Sequence, residues 1–273
     1  MKENLGDKVH EANIRLHQIE AGYYELIHLE QFNRIEQERI IATLKRIDKL
    51  LQGNSKKALD FGAGTGNLTG KLLLLGYDVT AVDIAKEMCE VMEKKYSDFL
   101  KLNKLKIINS KIENLDFRKE EFDLITCYSV LHHLPDYLDV IRKLSFFLRK
   151  NGIMYLDHEA SPFFWRDPKS ICTRIIKHTY SKSVGFYNYH LNKKILNWRG
   201  IEIPSLDYSL SDFWFKKTHH LRHEKIKKIF KEERFAYYIR EDYYLNQTKF
   251  FNPFFWVYRH VCKPDTSLWI AKK

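Results

Sequence analysis

The chain has 273 residues, of which 44% are hydrophobic and 30% charged, and a formal net charge of +11. That balance suits a folded, water-facing protein with a sizeable core and excludes disordered or collagen-like chains. No stretch reaches the ~18 to 20 consecutive apolar residues of a membrane span, and residues 1–10 lack a secretory apolar segment, so the expected location is cytoplasmic.

Helical periodicity covers about residues 8–28. It resumes over Glu30–Leu51, where Phe32, Ile35, Ile40, Leu44, Ile47 and Leu51 recur and Gly53-Asn54 supplies a stop. Strands and helices then alternate: strand 57–61, helix 67–75, strand 78–83, helix 85–100, strands 105–109 and 122–127, helix 137–149 and strand 153–158. Such alternation predicts an α/β fold with a doubly wound, mostly parallel, Rossmann-like sheet. Ligands of such sheets sit beyond the carboxyl ends of the strands. Gly62–Gly66, Asp83, Ser110–Glu113, Cys127–His133 and His158-Glu159 are therefore expected to converge on one crevice.

The run Ala58–Thr69 closes the first strand in a loop with glycine at 62, 64 and 66, then opens a helix. Glycines there let the backbone turn tightly and approach a nucleoside cofactor that any Cβ would push away. A dinucleotide fingerprint would want its third glycine where Asn67 stands, which argues against a nicotinamide oxidoreductase. Asp60 two residues before the first glycine, Asp83 at the tip of the next strand, and Phe122–Pro135 complete the pattern. In these motifs, over about residues 57–160, the chain resembles the class I S-adenosylmethionine-dependent methyltransferases.

The resemblance implies S-adenosyl-L-methionine as cofactor. It places the cofactor's backbone on Asp60, Gly62, Ala63, Gly64 and Gly66, with Asp60 either orienting the loop or meeting the methionyl amino group. It gives the ribose to Asp83, followed by Ile84 and Met88. Around the adenine it puts Ile112 and Glu113, it adds Cys127 to the cofactor site, and Tyr23, Tyr24 and His28 of the N-terminal helices are candidates to close the pocket near the methionine end. One departure is Lys111, which stands where many relatives carry an acidic acceptor for the adenine amino group, and an ammonium cannot accept that bond. Glu113 or a backbone carbonyl is the alternative.

If the acceptor is a hydroxyl, a general base is needed, and four residues compete: His132 and His133 after the fourth strand, and His158 and Glu159 at the end of the fifth. No metal is expected. His219 and His223 share a helical face beside His220, but nothing at a familiar ligand spacing completes a site, and a solvated or substrate-facing cluster is the expectation. The four cysteines (89, 127, 172, 262) form no C-x-x-C pair and are expected to be reduced and mostly packed.

Charge and aromatics divide the chain. Residues 1–160 carry 24 Lys and Arg against 25 Asp and Glu, whereas 161–273 carry 22 against 10 together with all five tryptophans. The expected organisation is an N-terminal helical cap (1–54), a cofactor-binding core (55–160), an aromatic and basic insertion that covers the acceptor (161–220) and a closing helix and strands (221–273). The acceptor is expected to be a small or lipid-like molecule, anionic or neutral, methylated on oxygen or nitrogen. A basic aromatic surface also leaves open RNA or peripheral membrane contact. RNA methylation is opposed by Cys127-Tyr128-Ser129-Val130, where an Asn-Pro-Pro-aromatic or Asp-Pro-Pro-aromatic signature would stand. A non-catalytic subunit that keeps the fold is the other alternative. Lys225, Lys227, Lys228 and Lys231 read as a wet helix face, and Phe250–Tyr258 as a packed lid.

Overall fold

A computed structural model describes residues 5–51, 55–165, 170–179, 200, 210–214, 220–245 and 253–273. Seven strands form one sheet in the order β3-β2-β1-β4-β5-β7-β6: β1 Lys57–Phe61, β2 Asp78–Asp83, β3 Leu105–Asn109, β4 Phe122–Tyr128, β5 Leu148–Ala160, β6 Tyr237–Tyr243 and β7 Thr266–Lys272. The pairs among β1 to β5 are all parallel, and β7 runs antiparallel to both of its neighbours. β4 is buried at every position, as a central strand covered on both faces must be. Order reverses between β1 and β4, so the crevice of an open α/β sheet lies beyond their carboxyl ends.

Leu59, Ile125, Leu144, Leu156, Phe230 and Trp269 lie in the core on one face of the sheet; Ile40, Leu44, Leu72, Tyr155 and Ile270 lie on the other. The N-terminal segment folds as α1 Leu5–Glu20, α2 Tyr24–Ile27, α3 Leu29–Phe32 and α4 Arg34–Leu50. The long helix expected from Glu30 starts instead at Arg34, because Asn33 caps it and accepts the Glu36 N–H at 3.1 Å. The helix expected over 85–100 likewise divides at Tyr96 into α6 Lys86–Lys95 and α7 Ser97–Lys101. The helix after β1, α5 Asn67–Leu74, and the helix after β4, α8 Tyr137–Phe147, fall where expected.

Among the C-terminal expectations, the helix His223–Glu232 turns Lys225, Lys228 and Lys231 to solvent while burying His223, Ile226, Ile229 and Phe230. Of the expected lid, Phe255 and Tyr258 are buried against Ile176, Tyr244 and Cys262, and Trp256 is exposed. Phe250 and Phe251 lie outside the described residues, as do Pro168, Gly185, Trp198, Pro204, His219 and Lys249. All four cysteines are free, three of them buried. No helix among the described residues is long and apolar enough to cross a membrane.

Candidate active site

A cleft of about 760 Å³, counted to its open mouth, sits beyond the carboxyl ends of β1, β2 and β4. Its floor is the glycine loop. Gly62, Gly64 and Gly66 all have positive φ (71°, 55° and 85°), the left-handed region in which a side chain is strained. A Cβ built on Gly62 would come within 2.4 Å of Val130, so packing explains that glycine. A Cβ on Gly64 would meet nothing within 4 Å, so packing does not explain that glycine; its left-handed backbone and its place in the cleft lining do.

Asp83 lines the cleft at the tip of β2, and its two carboxylate oxygens accept the N–H groups of Gly64 (2.8 Å) and Ala85 (2.9 Å). Burial pushes its pKa up, while His17 and those N–H groups pull it back. His17 is lowered by burial against the attraction of Asp83. Asp60 is not among the lining residues. Its carboxylate is used internally, accepting from Thr69 Oγ1 at 2.6 Å and Thr126 Oγ1 at 2.7 Å, so it ties β1 to α5 and β4 and orients the loop.

Ile84, Met88, Ser110, Lys111, Ile112 and Glu113 form the side wall. Lys143 Nζ donates to the carbonyls of Ile112 (2.7 Å) and Glu113 (3.0 Å), pinning that turn. Cys127 does not reach the cleft; it is wholly buried in the core, where burial raises its thiol. Tyr24 lines the cleft and Tyr23 does not. Ala63 and Gly66 are absent from the lining too, Gly66 being held between Tyr96 and Met92.

The four acid-base candidates separate. Glu159 is buried and its carboxylate accepts the N–H groups of Val130 (3.1 Å) and Leu131 (2.7 Å) and meets His132 Nδ1 at 2.8 Å. That carboxylate is a brace for the β4 loop. Burial lowers His132, but Glu159 outweighs it and the histidine ends raised. His133 lines the cleft, with Nδ1 2.9 Å from the Ser211 carbonyl, so Nδ1 carries the proton and the neutral ring's Nε2 is an acceptor. Burial, with His132 and His17 beside it, holds His133 well below the usual histidine value. His158 lies behind the lining residue Ser129, its Nδ1 3.2 Å from Ser129 Oγ.

Of the expected cluster, His219 lies outside the described residues and His223 does not face solvent. His223 is buried, with Nε2 2.8 Å from the Ala160 carbonyl and Nδ1 3.3 Å from Trp269 Nε1, so both its ring nitrogens are engaged. Among the described residues, His132, His133 and Asp212 bring potential ligand atoms within 4.8 Å of one another. His132 already leans on Glu159 and His133 on Ser211.

Sequence reasoning missed the roof. His10, Asn13 and His17 project from α1 into the cleft, and Asn13 Nδ2 donates to the His133 carbonyl at 3.2 Å. Their spacing, three and four residues apart, is a polar stripe along one helical face and was the available signal. Also missed was a buried network behind the cleft. One nitrogen of Arg39 reaches Glu36 (2.6 Å), Asp157 (2.7 Å) and Tyr243 Oη (3.0 Å), and Tyr128 Oη donates to Glu36 at 2.8 Å.

Comparison with known proteins places this arrangement. A family described as "Methyltransferase domain" matches residues 59–156. The ubiquinone biosynthesis O-methyltransferase of Actinobacillus pleuropneumoniae is 33% identical over 107 residues, 37% of this chain and 44% of that protein. The demethylmenaquinone methyltransferase of Staphylococcus saprophyticus is 30% identical over 122 residues, 43% and 51% of the two chains. The chain thus spans about half the length of the curated relatives it matches. Among solved structures, the phosphoethanolamine N-methyltransferase 2 of Haemonchus contortus covers all of this chain at a TM-score of 0.59, with 61% of its own length matched, and 14% identity. The magnesium protoporphyrin IX methyltransferase of Synechocystis covers 96% at 0.53, with 97% of its own length matched, and 13% identity. At such identities these structures speak for the fold.

Proposed function

We propose that the chain, whose residues 59–156 match a methyltransferase domain, is a class I S-adenosylmethionine-dependent methyltransferase that transfers a methyl group to an oxygen or nitrogen of a small-molecule acceptor. The observation that carries this reading is the bare cradle at Gly64: a left-handed glycine whose missing side chain would occupy the cleft and whose N–H is fixed by Asp83. Gly62 and Gly64 would lie under the cofactor's methionyl part. Asp83 would receive the ribose hydroxyls, and Ile84, Met88 and Ile112 would pack on the adenine. When bound, the cofactor supplies an electrophilic methyl carbon on a sulfonium, which leaves as a neutral thioether.

The protein's share is then positioning and exclusion of water, which can contribute several kcal/mol. α1 roofs the cleft with His10, Asn13 and His17, and His133 presents an unprotonated Nε2 toward which an acceptor hydroxyl or amine can donate. The relatives act, by their names, on quinone precursors, which favours an acceptor of similar kind: a hydroxylated or activated aromatic ring. The six cofactor-side contacts proposed in the cleft are independent of that choice. Calorimetric titration with S-adenosylmethionine and S-adenosylhomocysteine, with NADH as control, tests the reading. Micromolar binding of the first two alone supports it, and binding of NADH alone or of none of the three overturns it.

A further inference from the structure

Two consecutive irregularities lie behind the cleft. Ser129, the first residue after β4, has φ of 60°, and His158 in β5 has φ of 62°. Few non-glycine residues adopt the left-handed region, histidine more readily than serine, and such backbones persist where the surrounding structure imposes them. The register between β5 and β7 shifts between Leu156 and Glu159, a bulge that re-aims the His158 side chain. Ser129 N–H donates to the Asp157 carbonyl at 2.9 Å and the His158 N–H to Asp157 Oδ1 at 2.7 Å, so both backbones are anchored on one residue. The His158 ring lies 4.9 Å from the Tyr128 ring at 30°, and its Nε2 is buried without a partner among the described residues. A buried nitrogen left unsatisfied in this way calls for an explanation.

We propose that Ser129 and His158 form a proton relay out of the cleft: Ser129 Oγ accepts a hydrogen bond from an acceptor's hydroxyl and passes its own proton to His158 Nδ1. This rests on the methyltransferase reading and narrows it to a hydroxyl acceptor. The acceptor's O–H bond breaks, and its oxygen keeps the electron pair that forms the new bond to the methyl carbon. Its proton joins Ser129 Oγ as the serine's own proton leaves for the imidazole, so the serine ends unchanged. His158 ends as an imidazolium, and the positive charge lost by the methyl donor is matched by the charge gained there.

Surroundings decide why His158 suits this better than His133, the other neutral histidine at hand. Beside His133 stands His132, whose proton Glu159 holds, so a proton placed on His133 meets a positive neighbour. Facing His158 are the carboxylates of Glu36 on α4, Glu30 on α3 and its neighbour Asp157, opposed by Arg39; each carboxylate favours an imidazolium. Burial keeps the resting ring neutral, which leaves a lone pair for the incoming proton. If Nδ1 is the acceptor, the neutral ring carries its hydrogen on Nε2, and that is the atom the fold leaves unpartnered.

The test is histidine ¹⁵N NMR on the full chain, with and without S-adenosylhomocysteine, the His158 signals assigned by their loss in His158→Asn. Asparagine tolerates the left-handed backbone and can hydrogen-bond Ser129, but cannot take a proton. The expected result is a neutral His158 at pH 7 with Nε2 protonated and Nδ1 bare, its Nδ1 shift moving in Ser129→Gly, a change that the backbone there accepts. A neutral ring protonated on Nδ1 would overturn the relay, since that atom could not then receive the serine's proton. With catechol as the methyl acceptor, His158→Asn should lower kcat about 100-fold or more and flatten the acidic limb of the pH profile. Wild-type kcat in that variant would also sink the relay. Failure of S-adenosylhomocysteine to bind the wild type would instead remove the reading beneath it, so the two failures are distinguishable.

Discussion

The two walls of the cleft are held by opposite means. The glycine-loop wall is fixed mainly by backbone, through left-handed glycines and the N–H groups of Gly64 and Ala85 on Asp83, with one side-chain clasp at Asp60 beneath it. The β4–β5 wall is fixed by side chains carried from distant parts of the chain: Glu159 on the 130–132 backbone and ring, Arg39 across 118 residues to Asp157, and Tyr243 on the same carboxylate. A wall built of backbone recognises a ligand common to many relatives, because it depends on chain geometry. A wall built of side chains can be changed residue by residue and is where an acceptor would be selected.

The largest effect expected from this contrast is on stability, at the side-chain wall. Arg39→Met leaves Asp157, which is fully buried, and Glu36 without their cation. Removing one partner of a buried pair costs about 3–5 kcal/mol, to be read as a shift of the urea midpoint. A loss below about 1 kcal/mol would mean that Tyr155 and Tyr243 alone satisfy the carboxylate. On the backbone wall, Gly64→Val should abolish S-adenosylhomocysteine binding, roughly 100-fold or more, about 2.7 kcal/mol. Its stability should fall only by the strain of a left-handed side chain, about 1–3 kcal/mol, because the added Cβ meets no protein atom within 4 Å. Gly62→Val, whose Cβ would strike Val130, should lose binding and stability together. Equal melting shifts in the two variants would break the distinction between a ligand cradle and a packing glycine.

Asp83→Ala sharpens the comparison further. Its carboxylate both braces the loop and faces the cleft, so binding should weaken by about 1.5–3 kcal/mol, as for a lost charge-assisted hydrogen bond. An unchanged dissociation constant would move the ribose elsewhere.

The same contrast explains what was legible in the sequence. The strands, the glycine loop and Asp83 are local patterns: apolar runs, spaced glycines and an acid one strand away. The break at Asn33 was legible in principle, since Asn-x-x-Glu is a helix start, but the apolar period runs straight through it. The His10–Asn13–His17 stripe was visible as a period without a reason, because nothing in the sequence says that α1 roofs a cleft. Arg39 on α4, Asp157 on β5 and Tyr243 on β6 meet only in the folded sheet, where β7 lies between β5 and β6, so no window of sequence contains their signal. Ser129 and His158 look like ordinary strand ends until their left-handed backbones are seen. The expectation of a solvent-facing His223 failed because helical spacing defines a shared face without saying which face is buried; Trp269 and the Ala160 carbonyl decide that.

The smallest effect is a slope. His133, His158, His17 and His223 are all pushed below the ordinary histidine value of 6.5, by burial first in each case. Such a group binds its proton more readily in the unfolded chain, so its contribution is present above pH 6.5 and is lost as pH falls through the folded value. His28 runs the other way. Glu20 and Glu30 overcome its burial and raise it to about 10, so its contribution is full below 6.5 and is lost as pH rises through about 10. The unfolding free energy measured from pH 5 to 10 should therefore fall at both ends. His133→Gln should flatten only the acid side, by at most about 1.4 kcal/mol per pH unit, and His28→Gln only the alkaline side. If His133→Gln left the acid slope intact, the proton uptake would belong to other histidines, and the wall that faces the cleft would not be the one that limits the protein in acid.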